Sequence, residues 1–224
     1  MGTGDRLKLN ISRLHFPVTA LGPGQRAGLW VQGCTLACPG CVSRDTWDHA
    51  AGTTLTVDGI AEWLAALCAA DAVDGLTISG GEPTEQSAGL HALLTAVNDL
   101  RGDGIFTGDV LCYTGLDEDA FLAAAPWAPV LIDAVITGRF EITQPTALLW
   151  RGSANQRLLP LTGRGRARYG HLVEATSENP PLQVTVSDGQ VWMIGIPRRG
   201  DLQKLEAALR AEGVVLEEVS WRPR

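Results

Sequence analysis

Across residues 29–140, short apolar runs alternate with stretches of helical periodicity, and glycine or cysteine follows each run. The runs are residues 29–32, 76–79, 109–113 and 131–137. Between them, residues 57–70 place Val57, Ile60, Leu64 and Leu67 on one side, with Asp58 suited to a helix start. Residues 88–100 repeat the pattern with Leu90, Leu93, Leu94 and Val97, and residues 118–125 form a shorter helix stopped by Pro126. Such alternation predicts an α/β chain with a parallel sheet of βαβ units. Ligands of such sheets gather at the C-terminal strand ends. Cys34, Gly80, Gly81, Gly115 and Gly138 all fall there.

After about Gly163 the pattern changes. Gly163, Gly165, Gly170 and Pro180–Pro181 predict a loop. Residues 182–186 and 190–196 then read as two strands joined through Ser187, Asp188 and Gly189, and Asp-Gly is a strong hairpin signal. A helix over 201–211, with Leu202, Leu205 and Leu209 on one face, and a closing strand over 214–219 complete a ββαβ tail. The predicted division is a core of residues 1–165 and an extension of residues 171–224.

Five cysteines, an odd number, argue against a disulfide framework. Three of them lie in the segment CTLACPGC, residues 34–41, with spacing C-x3-C-x2-C. Three thiolates in one loop, Cys34, Cys38 and Cys41, can hold three corners of a cubane iron–sulfur cluster, whereas a fully ligated one uses four. Cys68, within a helix, and Cys112, within a strand, read as buried small apolar residues. A zinc site completed by His49 is the alternative, although zinc sites usually pair two C-x2-C halves and this chain has one cluster of cysteines. A second segment, Gly80, Gly81, Glu82 and Pro83, follows the next strand. Two glycines permit close backbone approach, and Glu82 offers an acceptor to an ammonium.

Together these segments resemble the radical S-adenosylmethionine superfamily. The resemblance implies a [4Fe–4S] cluster on the three cysteines, S-adenosylmethionine on the open iron, and one-electron cleavage to a 5′-deoxyadenosyl radical. It narrows to the anaerobic ribonucleotide reductase activating enzymes through five further segments: GPGQR at 22–26, TW at 46–47, YTG at 113–115, Asp133 through Gly138, Arg139 and Phe140, and RGSANQR at 151–157. Val42 and Ser43 stand where those activases carry Tyr or His and then Asn, and Thr137 replaces an Asp. The fold implied is an incomplete (β/α) barrel. The cofactor-binding residues implied are Gly40, Gly80, Gly81, Glu82, Pro83, Thr114, Asp133, Arg151 and Asn155. The partners implied are a reductant such as flavodoxin or ferredoxin and a protein or peptide substrate. A tailoring enzyme for a small molecule or ribosomal peptide is an alternative. A non-catalytic electron-transfer module is another, against which the Gly-Gly-Glu-Pro segment argues.

The remaining features bound these readings. A net charge of −7 does not suit general nucleic-acid binding, and Arg164, Arg166 and Arg168 read as a solvated loop. No apolar run approaches the roughly 20 residues of a membrane span, and the charged start, with Asp5, Arg6 and Lys8, does not resemble a secretory signal. A cytoplasmic protein is expected. Asp133, in an apolar strand, should find an arginine, Arg139 or Arg151.

Overall fold

A computed structural model describes residues 7–187, 190–217 and 219. Strands β1 (Lys8–Val18), β2 (Arg26–Val31), β3 (Thr53–Thr56), β4 (Gly75–Gly80), β5 (Asp109–Tyr113), β6 (Ala134–Thr137) and β7 (Arg157–Pro160) form one sheet in the order β3-β1-β2-β4-β5-β6-β7. The central four, β2, β4, β5 and β6, are parallel. The flanking β1, β3 and β7 run antiparallel to their neighbours. The expected α/β class and parallel centre are present. The antiparallel flanks went unread in the sequence: β1 is broken by a register shift near Ser12, and β3 and β7 have only four residues each.

Helices α1 (Val57–Ala70) and α2 (Ser87–Gly102) pack on one face. Thr56 caps α1 by accepting a hydrogen bond from the Gly59 amide at 3.1 Å. Val57, Ile60 and Leu64 of α1 meet Leu90, Leu93, Leu94 and Val97 of α2 over Ala27, Leu29, Val31, Leu76 and Ile78 of the strands. Each fully buried Leu or Ile here contributes about 1.5–3 kcal/mol. Helix α3 (Glu118–Ala124) and the single turn α4 (Ala128–Leu131) extend this layer, so the last parallel strand starts at Ala134 rather than 131.

The opposite face is covered by later chain. Leu111, Ala134, Ile136 and Leu158 pack against Tyr169, which ends helix α5 (Gly163–Tyr169). The glycines there had predicted a loop; Thr162 instead caps a helix by accepting from the Gly165 amide, and Gly165 lies where a Cβ would sit 1.8 Å from the Asp133 carbonyl oxygen. The three arginines are not a solvated loop. Arg164 donates to the carbonyls of Thr107 and Gly108, Arg166 to Leu161, and Arg168 pairs with Asp109 at 3.5 Å.

In the tail, β8 (Leu182–Ser187) and β9 (Gln190–Gly195) form a separate antiparallel hairpin, followed by α6 (Asp201–Ala211). The Asp188–Gly189 turn lies outside the described residues, as do Asp5 and Arg6. Residues 214–217 carry no strand, so among the described residues the tail is ββα. Residues preceding the hairpin belong with the sheet: Leu149 donates to Ala175, Ser177 donates to Ala147, and Leu148 bridges Thr176. Among the described residues no helix is long and apolar enough to cross a membrane.

Candidate iron–sulfur site

The cysteine segment leaves the C-terminal end of β2 and is tied down from its first residues. Buried Gln32 donates through its side chain to the carbonyls of Asp45 and Asp48, at 2.9 and 2.8 Å. The amides of Gly33 and Cys34 donate to Thr46 and Trp47. The Thr46-Trp47 segment is therefore the return leg of the cysteine loop. Ala37 (φ 46°) and Gly40 (φ 80°) take left-handed conformations that turn the chain between its thiols, and the Cys41 amide donates to Cys38 at 3.1 Å.

The end of β4 presses on this loop. A Cβ on Gly81 would lie 2.0 Å from the Gly33 carbonyl oxygen, and one on Gly80 (φ 106°) 2.5 Å from the Val31 amide nitrogen. Both glycines thus serve a backbone-to-backbone approach between neighbouring strand ends. Glu82, 2 % exposed, is fully engaged. Its Oε1 accepts from the Thr84 amide, the Thr84 hydroxyl and the Thr114 hydroxyl, the last at 2.8 Å, and its Oε2 accepts from the Gly115 amide at 2.8 Å. Pro83 opens the short turn that follows. The carboxylate therefore fastens the end of β4 to the end of β5.

Two side chains, Glu85, unread in the sequence, and Arg139, read there as a partner for Asp133, hold the residues between the first two cysteines. Glu85 Oε1 accepts from the Thr35 amide at 2.8 Å and the Thr35 hydroxyl at 2.6 Å. Burial works against its charged form, yet Thr35 and His49 outweigh that and keep its pKa below the usual carboxylate value. Arg139 donates to the Leu36 carbonyl. The only sequence signal for this role was the place of each just beyond a strand-end glycine. His49 turns Nε2 to Glu85 at 2.8 Å, and among the described residues it joins no group of three or more potential metal ligands.

Cys38 is buried, and Cys34 and Cys41 are half-buried. Burial pushes the Cys34 and Cys41 thiols up. Amides of Leu36 and Ala37 at Cys34, and the Ser43 amide and Trp47 side chain at Cys41, pull the other way. Among the described residues no three thiol, imidazole or carboxylate groups converge on a single ion. Cys112 is buried in the core with its thiol pushed well up by burial, and Cys68 packs against the same core.

Other expected residues divide. Thr114 stands at the site through Glu82. Asn155 donates to the Arg139 carbonyl at 2.7 Å, while its Oδ1 is buried without a partner among the described residues; so is the hydroxyl of Tyr113. Arg151 is buried and donates to the Leu149 and Val173 carbonyls, bracing the segment before α5. Asp133 lies apart, just before β6 at the opposite end of the sheet. It pairs with Arg101, not with Arg139 or Arg151, and accepts from the Val110 amide at 2.8 Å and the Thr162 hydroxyl at 2.6 Å. Gly22 through Arg26 are also remote. Arg26, fully buried at the start of β2, forms a bidentate pair with Asp109 at 3.1 and 2.7 Å and donates to Thr77 and Leu76.

Comparison with known proteins agrees with this geometry. Residues 20–159 match the family described as a 4Fe-4S single cluster domain. Anaerobic ribonucleoside-triphosphate reductase-activating proteins are similar: that of Enterobacteria phage T4 is 31% identical over 155 residues, covering 67% of this chain and 93% of the relative. That of Escherichia coli (strain K12) is 31% identical, covering 63% and 93%, and that of Haemophilus influenzae 34%, covering 63% and 92%. The relatives are nearly spanned while about a third of this chain has no counterpart in them. The chain belongs to the 4Fe-4S single cluster domain family and is homologous to the anaerobic ribonucleoside-triphosphate reductase-activating proteins.

Proposed function

We propose that this chain is a radical S-adenosylmethionine enzyme of the activase type. It binds one [4Fe–4S] cluster through Cys34, Cys38 and Cys41 and acts on a protein or peptide. The observation that carries the reading is a three-thiol loop, clamped by Glu85 and Arg139, with no fourth cysteine beside it among the described residues. On this reading the mixed seven-stranded sheet corresponds to the incomplete (β/α) barrel that the resemblance implies. The relatives named as reductase-activating proteins support a protein substrate, and a flavodoxin or ferredoxin is the expected reductant.

When bound, the cluster supplies one electron to the sulfonium of S-adenosylmethionine. The chain's own residues do the rest. Glu82 fixes Thr114 and Gly115 against the end of β4, shaping the edge on which the methionine end rests. The partnerless Tyr113 hydroxyl and Asn155 Oδ1 are buried polar atoms of the kind a ligand satisfies. Burial keeps Tyr113 protonated and so a donor. The apolar cover of Leu111, Ile136, Leu158 and Tyr169 restricts water near that face.

A second reading, tailoring of a small molecule or a ribosomal peptide, is favoured by the third of the chain that the activating proteins lack. Anaerobic reconstitution with reductant tests the first step: 5′-deoxyadenosine should form, and its absence would sink the reading. A glycyl-radical signal on a reductase partner then selects the activase.

A further inference from the structure

The tail hairpin meets the sheet on the face away from α1 and α2. On β1, Leu14 and Phe16 pack toward the helix-side core, so Arg13 and His15 point the other way. In register Arg13 stands opposite Trp30 and His15 opposite Gly28. Because β1 and β2 are antiparallel, Arg13 lies toward the strand end from which the cysteine loop departs.

The hairpin follows β1 toward that end. Gln183 donates to the Pro17 carbonyl at 2.7 Å and accepts from the Thr19 amide at 3.0 Å. Two residues further along the hairpin, Thr185 lies 3.5 Å from His15 Nε2, and its cross-strand partner Trp192 receives the Arg13 guanidinium 3.8 Å above its ring. His15 meets the same indole edge-on at 6.0 Å. Gln183, together with Ile194 packed among Val18, Ala20, Leu21 and Trp30, already anchors the hairpin. Arg13 is not needed as a fastener.

Arg13 also has capacity to spare. Among the described residues it has no hydrogen-bond acceptor and no carboxylate within 4.0 Å. Burial lowers its pKa, and the charge of Asp45 acts on it only from further off. A half-buried guanidinium has five donors that lose water on one side and gain nothing in return. Burial, and then the charge of Arg13, lowers the His15 pKa, so the positive charge of the cluster rests on Arg13.

We propose that Arg13, seated on Trp192 beside His15, is a recognition point for one carboxylate of an acidic peptide segment, and that the hairpin builds it. This rests on the reading of a protein or peptide substrate. A planar guanidinium fork matches a carboxylate bidentately, and a single charge suits a monoanion better than a phosphate dianion.

The test is calorimetry on the full, reconstituted chain with capped Gly-Glu-Gly, capped Gly-Gln-Gly and inorganic phosphate. The glutamate peptide should bind at least about tenfold more tightly than the glutamine peptide, as expected of a charge-assisted bidentate pair. Arg13→Gln should erase that ratio, and Arg13→Lys, which keeps the charge and loses the fork, should reduce it. Equal binding of the two peptides, binding of neither, or phosphate bound as tightly as the glutamate peptide overturns the proposal. An Arg13 that only braces the hairpin would leave the wild-type ratio near one. These measurements need no turnover, so a wild-type chain that makes no 5′-deoxyadenosine refutes the proposed function separately.

Discussion

The two ends of the parallel sheet use charge in opposite ways. At the strand starts, opposite charges meet and are exhausted: Arg26 with Asp109, which also accepts from Tyr169, and Arg101 with Asp133. At the strand ends, Glu82 and Glu85 are held by hydroxyls, amides and one histidine. Of the buried polar atoms without a hydrogen-bond partner among the described residues, the Tyr113 hydroxyl and Asn155 Oδ1 belong to this end, while Arg168 Nε, at the other, still faces Asp109 at 3.5 Å. One end is closed electrostatically and the other retains bonding capacity. Buried ion pairs are costly to break, whereas donors aimed at unfilled space are what a ligand uses.

This contrast makes four predictions, the largest first. Replacing Cys34, Cys38 or Cys41 by Ala should reduce iron from about four per chain to background, while Cys68→Ala and Cys112→Ala keep it; iron and sulfide analysis after anaerobic reconstitution decides. At the closed end, Asp109→Asn leaves Arg26 buried with half its partner and should cost about 3–5 kcal/mol in denaturant unfolding. The double variant Arg26→Met, Asp109→Leu should cost less than that single change, and cluster absorbance in the folded fraction should persist. Loss of the cluster without loss of stability would reverse the assignment of the two ends.

At the open end, Glu82→Ala leaves the Thr114 hydroxyl and the Gly115 amide without their carboxylate and, by loosening that edge, should weaken S-adenosylmethionine binding about ten- to hundredfold, in line with about 1.5–3 kcal/mol for lost hydrogen bonds to a charged group. The cluster should stay, and unchanged affinity by calorimetry would refute the role given to Glu82. The smallest effect on the site belongs to the tail. Ending the chain near Tyr169 would strip the carbonyl of Val173 from Arg151 and the pairing of 175–177 with 147–149, so the informative truncation ends at Asn179. That chain should remain soluble and make 5′-deoxyadenosine slowly without engaging its substrate. Insolubility or cluster loss would mark the hairpin as structural cover.

The legibility of the sequence followed the same division. Elements governed by local periodicity were read to the residue: α1 at Val57–Ala70, β5 at Asp109–Tyr113 and α6 at Asp201–Ala211. The cysteine loop and the glycines of β4 were visible as a motif. Elements defined by distant partners were not. Helix α5 holds two of the glycines read as loop because Gly165 must pass against Asp133, and β7 becomes a strand only beside β6. Motif resemblance also gave no indication of which end a segment occupies. Arg26 and Asp133 sat within segments that resembled a site, yet both lie at the closed end, because a buried charge is sited by its counter-charge, here more than 30 residues away.

That distance bears on how the protein is made. Arg26 is satisfied only when Asp109 exists, and Asp109 receives Tyr169 last. The cysteine loop in turn waits for Arg139 to reach Leu36. A nascent chain on the ribosome therefore carries its thiols while the 103 positions from Leu36 to Arg139 are synthesised, before the clamp that shields them can close. Contacts this far apart in sequence are slow to form and leave partly folded chains exposed. Oxygen or adventitious metal would find the thiols most accessible in that interval, so cluster insertion is best timed after residue 139 has emerged and before the hairpin docks.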